Sequence, residues 1–410
     1  MFVPTLYFAE GLPYIIINTV SVILYKKMGI DNASIAFWTS WLYLPWVIKM
    51  FWGPFVDIYS TKRKWILSTQ FGMALCLFSA AYVLNMEGYF LLSLTAFVIA
   101  AFVSATHDIA VDGFYMLVLG KDEQALFVGI RATFYRLAII FGTGALVYAA
   151  GRIESMTGSI PLSWTIVIAA AGFVFILVFL YHVFVLPFPH ADSKHLREEA
   201  SKVPFIEILS SYFRQEKIAA IIAFILLYRF AEAMLVKLAA PFLLDARGAG
   251  GLGLSTSEVG LVYGTVGMIC LVAGGILGGW LISRFGLRKC IWPMAMMLHF
   301  PDIFYVYMAY AQPDIGLTYF LVAIEQFGYG LGFTALMVYL MYASRGRYKT
   351  SHFAISTGIM ALGMMLPGFF SGYLQEAVGY RMFFVIVCVM AIPGLLSILF
   401  IPKDEKKEDK

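Results

Sequence analysis

The sequence predicts an all-α membrane protein: twelve transmembrane helices arranged as two six-helix halves. Three observations carry that reading. Of 410 residues, 61% are hydrophobic and 13% charged, with a mean hydropathy of +0.82, which leaves too little polar surface to coat a soluble globule of this length. Twelve continuous apolar runs, most of about twenty residues or more, lie between charged or Gly/Pro-rich breaks; helices crossing a bilayer read this way and the alternating strands of a barrel do not. The chain also echoes itself. Gly53, Asp57 and the basic run Lys62, Arg63, Lys64 follow the second apolar run, and Gly279, Ser283, Arg284, Arg288 and Lys289 follow the eighth. Gly53 and Gly279, like Asp57 and Ser283, stand 226 residues apart, the internal repeat of a transporter built from two parallel halves.

Taken in order, the first six spans are expected at 3–26, 34–57, 65–85, 89–119, 122–151 and 161–186, and the last six at 217–244, 256–283, 287–311, 314–344, 351–376 and 380–401. The first run starts at Phe2 without a charged leader or a small-residue cleavage site, so it reads as an uncleaved span. The longest break divides the chain into an N-terminal half (1–187), a cytoplasmic linker (188–216), a C-terminal half (217–402) and a charged cytoplasmic tail (403–410). Inside the linker Phe205, Ile208, Leu209, Tyr212 and Phe213 recur at helical spacing; the segment is either a short helix lying on the membrane face or a plain connector. Nineteen loop Lys and Arg residues fall on the side of the termini against five on the other, Lys26, Lys27, Arg152, Arg247 and Arg381. The excess of positive charge places both termini in the cytoplasm.

Several functions are excluded by composition. The net charge of +4 is scattered over short loops, with no basic stripe for nucleic acid. Cys76, Cys270, Cys290 and Cys388 are isolated and no histidines cluster, so neither a metal site nor a disulfide framework is indicated. No phosphate-binding GxxxxGK[ST] occurs, and no other cofactor motif is implied. The glycines of FGTGA, GGILGG and FGYGLGF suit close helix packing better than ligand binding.

The chemistry lies in charges buried within the spans: Glu10, Lys49, Asp108, Asp112, Arg131, Arg136, Arg229, Glu232, Lys237, Asp302 and Glu325. Ionised groups at that depth cost several kcal/mol each unless paired or wet, so they mark a proton or substrate path, or else a buried structural ion pair. Asp108 and Asp112 are one helical turn apart and Tyr115 shares their face. Glu10 shares a stripe with Tyr7, Tyr14 and Asn18; Arg229 is expected to meet Glu232 one turn on; Glu325 and Tyr329 repeat the four-residue spacing. Setting aside Asp302, which is expected near the outer end of its helix, five acids face five bases, so a nearly neutral network can form. Trp38, Trp41, Pro45, Lys49 and Trp52 share one face of the second span, kinked at the proline. The tryptophans read as interfacial anchors, with Trp41 and Lys49 as cavity alternatives. His107 points away from Asp108 and reads first as a hydrogen-bonded packing residue and second as a proton relay.

With YFAEGLPY (Tyr7 to Tyr14), LPWVIKMFWGPFVD (Leu44 to Asp57), THDIAVDGFY (Thr106 to Tyr115), YRFAEA (Tyr228 to Ala233), LSTSEVGLVYGTVG (Leu254 to Gly267) and the Glu325-Gln326 pair in hand, the chain resembles the AmpG-type muropeptide permeases of the major facilitator superfamily over nearly all twelve spans. It departs from the best-known of these in having His107 in place of a Gln, in carrying Glu10, and in lacking two additional spans. The resemblance implies a cavity lined by spans one, four, seven and ten, with two, five, eight and eleven alongside. It implies a multi-pass protein of the bacterial inner membrane, not an enzyme, that imports anhydromuropeptides for peptidoglycan recycling by proton symport. Relatives of the same broad family move acetyl-coenzyme A or siderophores, which leaves another anionic metabolite as the alternative. A polytopic membrane enzyme is disfavoured, because its reactive groups would sit on surface loops.

On this reading Asp108, Asp112, Glu10, Glu232 and Glu325 are the proton-coupling candidates. Arg131, Arg136, Arg229, Lys49 and Lys237 are candidates for substrate carboxylates, and Tyr14, Asn18, Tyr115, Tyr135, Tyr228 and Gln326 for its hydroxyls and amides. Asp57, Lys62, Arg63, Lys64, Arg284 and Arg288 are candidates for gating. The expected partners are a small sugar-peptide, protons and the lipid bilayer; a monomer is assumed, and no nucleic acid or cofactor is expected.

Overall fold

The computed structural model describes residues 2–119, 121–188, 205–344 and 349–402. Among the described residues, nine helices are long and apolar enough to cross a membrane: Val3–Lys27, Lys62–Val83, Tyr89–Val118, Gly129–Thr157, Ile160–Val185, Ile218–Leu244, Thr256–Phe285, Ile315–Ala343 and Ser351–Ser397. The last is two spans joined at Gly379, whose φ of 72° no helix tolerates. Two more crossings are interrupted by single 3₁₀ turns. Residues 32–59 carry theirs at Trp41–Tyr43, where Pro45 restarts the helix, and residues 287–311 carry theirs at Phe300–Asp302, around Pro301. With these the described residues make twelve crossings, numbered one to twelve in chain order below.

Span seven breaks at Arg229, which leaves the helical region with φ −110° and ψ 10° between Ile218–Tyr228 and Phe230–Leu244. Spans one, five and eight each contain a π-helical stretch, at Ile16–Val20, Phe141–Leu146 and Gly260–Gly267. The stretches of spans five and eight pack directly on each other across the two halves. Glycine makes this possible: a Cβ on Gly264 would lie 2.0 Å from the Thr143 carbonyl oxygen, and the Thr143 hydroxyl donates to the Gly264 carbonyl at 3.2 Å. The packing role expected of FGYGLGF also holds, since a Cβ on Gly330 would lie 2.0 Å from the Leu271 carbonyl oxygen.

At the end remote from the termini the halves are laced together. Lys26 Nζ pairs with Asp245 Oδ1 at 2.6 Å; the Asn32 amide donates to Gln375 Oε1 at 2.7 Å and to the Tyr380 hydroxyl at 2.8 Å; Tyr380 donates to Asp245 Oδ2 at 2.7 Å. The Ala33 N–H donates to Glu376 Oε1 at 2.9 Å, and Thr256 to Glu154 Oε2 at 2.9 Å. Of the linker, 189–204 lie outside the described residues. A helix does form at Phe205–Phe213, and it docks on the start of span eleven through Ser211 with His352 Nε2 (2.8 Å) and Tyr212 with Ser356 (2.9 Å).

Candidate functional site

A central cavity of about 330 Å³ lies between the halves. Its wall comes from spans one, two, four, five, seven, eight, ten and eleven, and none of its lining residues is on three, six, nine or twelve. Span one supplies Glu10 and Tyr14, span two Tyr43, Trp46 and Lys49, span four Ser104 and Asp108, and span five Tyr135. The second half supplies Arg229, Tyr263, Gln326, Tyr329 and Phe333. A second compartment of about 340 Å³ shares Glu10, Tyr135 and Phe333 with the first and adds Tyr7, Arg131 and Arg136. It extends toward the termini, where the Arg131 and Asp112 side chains stay 35% and 43% exposed. The laced end is closed.

Four of the first-half charges form two ion pairs. Lys49 Nζ stands 2.5 Å from Asp108 Oδ2, joining the restarted helix of span two to span four. Asp112 accepts from the Tyr7 hydroxyl at 2.9 Å and faces Arg131 at 3.5 Å. The Arg131 guanidinium lies 4.6 Å over the Tyr7 ring and 5.2 Å over Tyr115, so Tyr115 acts from behind the arginine without lining the cavity. Glu10 sits beside Asp108, with Oε2 buried and unpartnered. Arg136 lines the basic compartment and has no carboxylate partner among the described residues.

The second half departs from the expected network. The break at Arg229 rotates the two parts of span seven out of register, so Arg229 does not stack on Glu232. It turns to the Tyr329 hydroxyl and lies 5.0 Å over the Phe333 ring, and neither Glu232 oxygen has a hydrogen-bond partner among the described residues. Asp302 is not near an outer end: it is 0% exposed and lies 3.5 Å from His299 Nδ1. The balance of five acids against five bases therefore holds only locally, in the first half.

Other candidates are also relocated. Tyr228 is a core residue whose hydroxyl donates to the Gly332 carbonyl at 3.0 Å. Asn18 lies outside the main cavity, donating to the Tyr14 carbonyl at 3.0 Å. Lys237 is buried in the closed seam, 2.9 Å from the Thr39 hydroxyl and 5.3 Å over the Tyr43 ring. Among the gating candidates, Arg63 caps the end of span six, donating to the Leu186 and Val183 carbonyls at 3.0 and 2.6 Å. Lys62 is buried against Gly113, while Lys64, Arg284 and Arg288 are exposed. The Asp57 side chain lies outside the described residues. Trp41 packs on Phe369 at 5.0 Å, away from the cavity.

Sequence reasoning missed Trp46, Tyr43 and Tyr263. Trp46 meets Tyr14 edge-on at 5.1 Å; its signal was the proline beside it, which restarts the helix and turns the 46 and 49 positions inward together. A buried chain was missed too. His107 Nε2 meets the Gln70 amide nitrogen at 3.1 Å, the Gln70 amide oxygen meets His182 Nδ1 at 3.0 Å, and His182 Nε2 meets the Thr5 hydroxyl at 2.8 Å. His107 is thus a hydrogen-bonded packing residue tying spans one, three, four and six.

A cavity between two halves, lined by the same eight spans and closed at one end, is the arrangement of an alternating-access carrier. The chain matches the sequence model of the Major Facilitator Superfamily over residues 5–295 and again over 226–410. It belongs to that superfamily. As a member it is a multi-pass membrane transporter, not an enzyme. Among curated relatives, the anhydromuropeptide permease of Escherichia coli K12 is 24% identical over 96% of this chain and 77% of its own. Among solved structures, a D-xylose-proton symporter superposes with a TM-score of 0.74 at 13% identity, covering 99% of this chain and 98% of its own. The nucleoside transporter NupG follows with 0.72 at 14%, covering 98% and 99%. These two likenesses are of fold.

Proposed function

We propose that this transporter imports anhydromuropeptides into the cytoplasm in symport with protons, for peptidoglycan recycling. The observation that carries the reading is the pair of contiguous compartments. One is walled by aromatic rings from both halves, suited to sugar faces and N-acetyl groups. The other presents Arg131 and Arg136, suited to the carboxylates of a peptide. The relative named an anhydromuropeptide permease supports the same substrate class. With the termini in the bacterial cytoplasm, as the loop charges favour, the cavity faces inward and the laced end closes it to the periplasm.

The proton is assigned to Glu10. Asp108 has Lys49 and Asp112 has Arg131 and Tyr7, whereas Glu10 has no cation in contact among the described residues and touches both compartments. Substrate carboxylate arriving at Arg131 and Arg136 would redistribute the charge around Glu10 and so link proton to cargo. Uptake of radiolabelled anhydromuropeptide into proteoliposomes with an imposed proton gradient is the test; accumulation that ignores the gradient would sink the coupling, and no uptake at all would sink the substrate.

Arg136, which has no carboxylate partner among the described residues, equally suits a phosphate, so an acyl-coenzyme A is the second reading. Competition for uptake between anhydromuropeptide and a coenzyme A thioester separates the two.

A further inference from the structure

Three acids of the second half meet away from the cavity. Glu232 on span seven and Asp302 on span nine are 0% exposed, Glu325 on span ten is 1% exposed, and none lines the cavity. Glu325 is held by the neighbouring Gln326 amide, which donates to its two oxygens at 3.0 and 3.3 Å, with the Tyr305 hydroxyl at 3.5 Å. Glu232 has nothing. An ionised carboxylate with no donor, in a dry interior and beside two more acids, is the most costly state the cluster could hold.

His299 gives an independent indication. Its Nε2 stands 3.0 Å from the Tyr228 carbonyl, one of the groups left free by the break at Arg229. A carbonyl only accepts, so Nε2 carries the hydrogen. On the other side Nδ1 faces Asp302 Oδ2 at 3.5 Å. Two bare acceptors at that distance repel, so one proton belongs to the pair, on the ring or on the carboxyl. A metal ion is a poor alternative, since no group of His, Cys, Asp and Glu among the described residues has the arrangement to hold one.

We propose that the second half carries its own proton-binding site, formed by Glu232, Glu325 and the His299–Asp302 pair and sealed from the central cavity in this conformation. The other titratable or charged groups facing it are Arg229 from span seven, Tyr263 from span eight, Tyr305 from span nine, Tyr329 from span ten and Cys388 from span twelve. Arg229 is the permanent cation of the set, and its guanidinium is engaged by Tyr329. The route out of the cluster is the Gln326 and Tyr263 wall, which the acids share with the cavity.

That the bound proton moves during the cycle rests on the symport reading; that it is bound does not. Infrared difference spectra of the purified full-length protein in lipid read it directly. The wild type is expected to show a carboxylic-acid C=O band at neutral pH that Asp108→Asn leaves in place and that Glu232→Gln removes or reduces, with Glu325→Gln and Asp302→Asn shifting it. A band of unchanged size and position in all three second-half variants overturns the site. Each variant is isosteric, and three positions are probed, so loss of folding in one leaves the others to decide. Proteoliposome flux then separates the two ideas: a wild type indifferent to the proton gradient ends the symport reading while the infrared result still stands. A proton-coupled wild type whose proton-to-substrate ratio is lower in Glu232→Gln shows that the site turns over.

Discussion

The two halves carry similar numbers of buried acids and treat them in opposite ways. In the first half Asp108 and Asp112 each have a cation or phenol in contact, and Glu10 opens onto both compartments. In the second half Glu232, Asp302 and Glu325 are buried to 0%, 0% and 1% exposure, and the two cations of span seven point elsewhere, Arg229 to Tyr329 and Lys237 to Thr39. On the proposed reading, charges that face the cavity exchange with a cargo as it arrives, whereas fully buried acids without a cation in contact among the described residues, apart from the His299–Asp302 pair, hold a proton until the surrounding helices move. On the proposed reading the difference gives substrate response to one half and proton storage to the other.

The largest effect that could break this comparison comes from Lys49. Removing one partner of a buried ion pair strands the other charge and costs about 3–5 kcal/mol when fully buried. Lys49 and Asp108 keep 24% and 14% side-chain exposure, so about 2–3 kcal/mol is the appropriate scale. Lys49→Met is expected to reduce uptake on the order of a hundredfold, and adding Asp108→Asn should recover part of the lost thermal stability. If the double variant melts no higher than Lys49→Met alone, the two residues do not act as a pair.

Next in size is the contrast between Glu10 and Asp108. Glu10→Gln is expected to keep counterflow exchange of substrate at near wild-type rates and to lose gradient-driven accumulation, because the carrier can still rock with a permanently neutral group there. Asp108→Asn should lose both, since it frees Lys49 in the cavity. Equal loss of exchange and accumulation in Glu10→Gln would move the proton to another carboxylate. A smaller effect is expected from Arg136→Gln. It should raise KM several-fold for a cargo bearing carboxylates with little change in kcat, the pattern of lost uniform binding. An uncharged sugar analogue that uses the same cavity should be indifferent to the change.

Much of this arrangement was legible in the sequence. Twelve apolar runs, the buried charges and the glycine motifs rest on hydropathy and on spacing within one helix, both local properties. The Asp108 and Asp112 face and the basic pair Arg131 and Arg136 were visible for that reason. What was not visible depends on how helices are broken and rotated. The break at Arg229 cancels the apparent pairing with Glu232, and the 3₁₀ turn at Phe300–Asp302 carries Asp302 inward to His299. The restart at Pro45 swings Trp46 into the cavity while Trp41 faces Phe369. Spacing of three or four residues predicts a shared face only while the helix is continuous, and three of these misplacements sit at an interruption.

The smallest expected effect lies at the closed end, where the comparison between halves becomes mechanical. Lys26 belongs to the first half and Asp245 to the second, and their contact at 2.6 Å, with side chains 14% and 21% exposed, holds the seam together with Asn32 and Tyr380. A partly exposed pair of this kind contributes about 0.5–1 kcal/mol. Lys26→Met should then shift the balance between inward- and outward-facing forms by only about two- to fivefold. Labelling of a cysteine placed at Ser34, beside the seam, by a membrane-impermeant thiol reagent would report the shift as faster modification. Lys26 also donates to Asn32 Oδ1 at 2.8 Å, but the Asn32 amide nitrogen keeps its own bonds to Gln375 and Tyr380 when the lysine is gone, so the seam should loosen and not fail. Complete opening in Lys26→Met would mean that the ion pair, and not the amide and phenol network around it, sets which way the cavity faces.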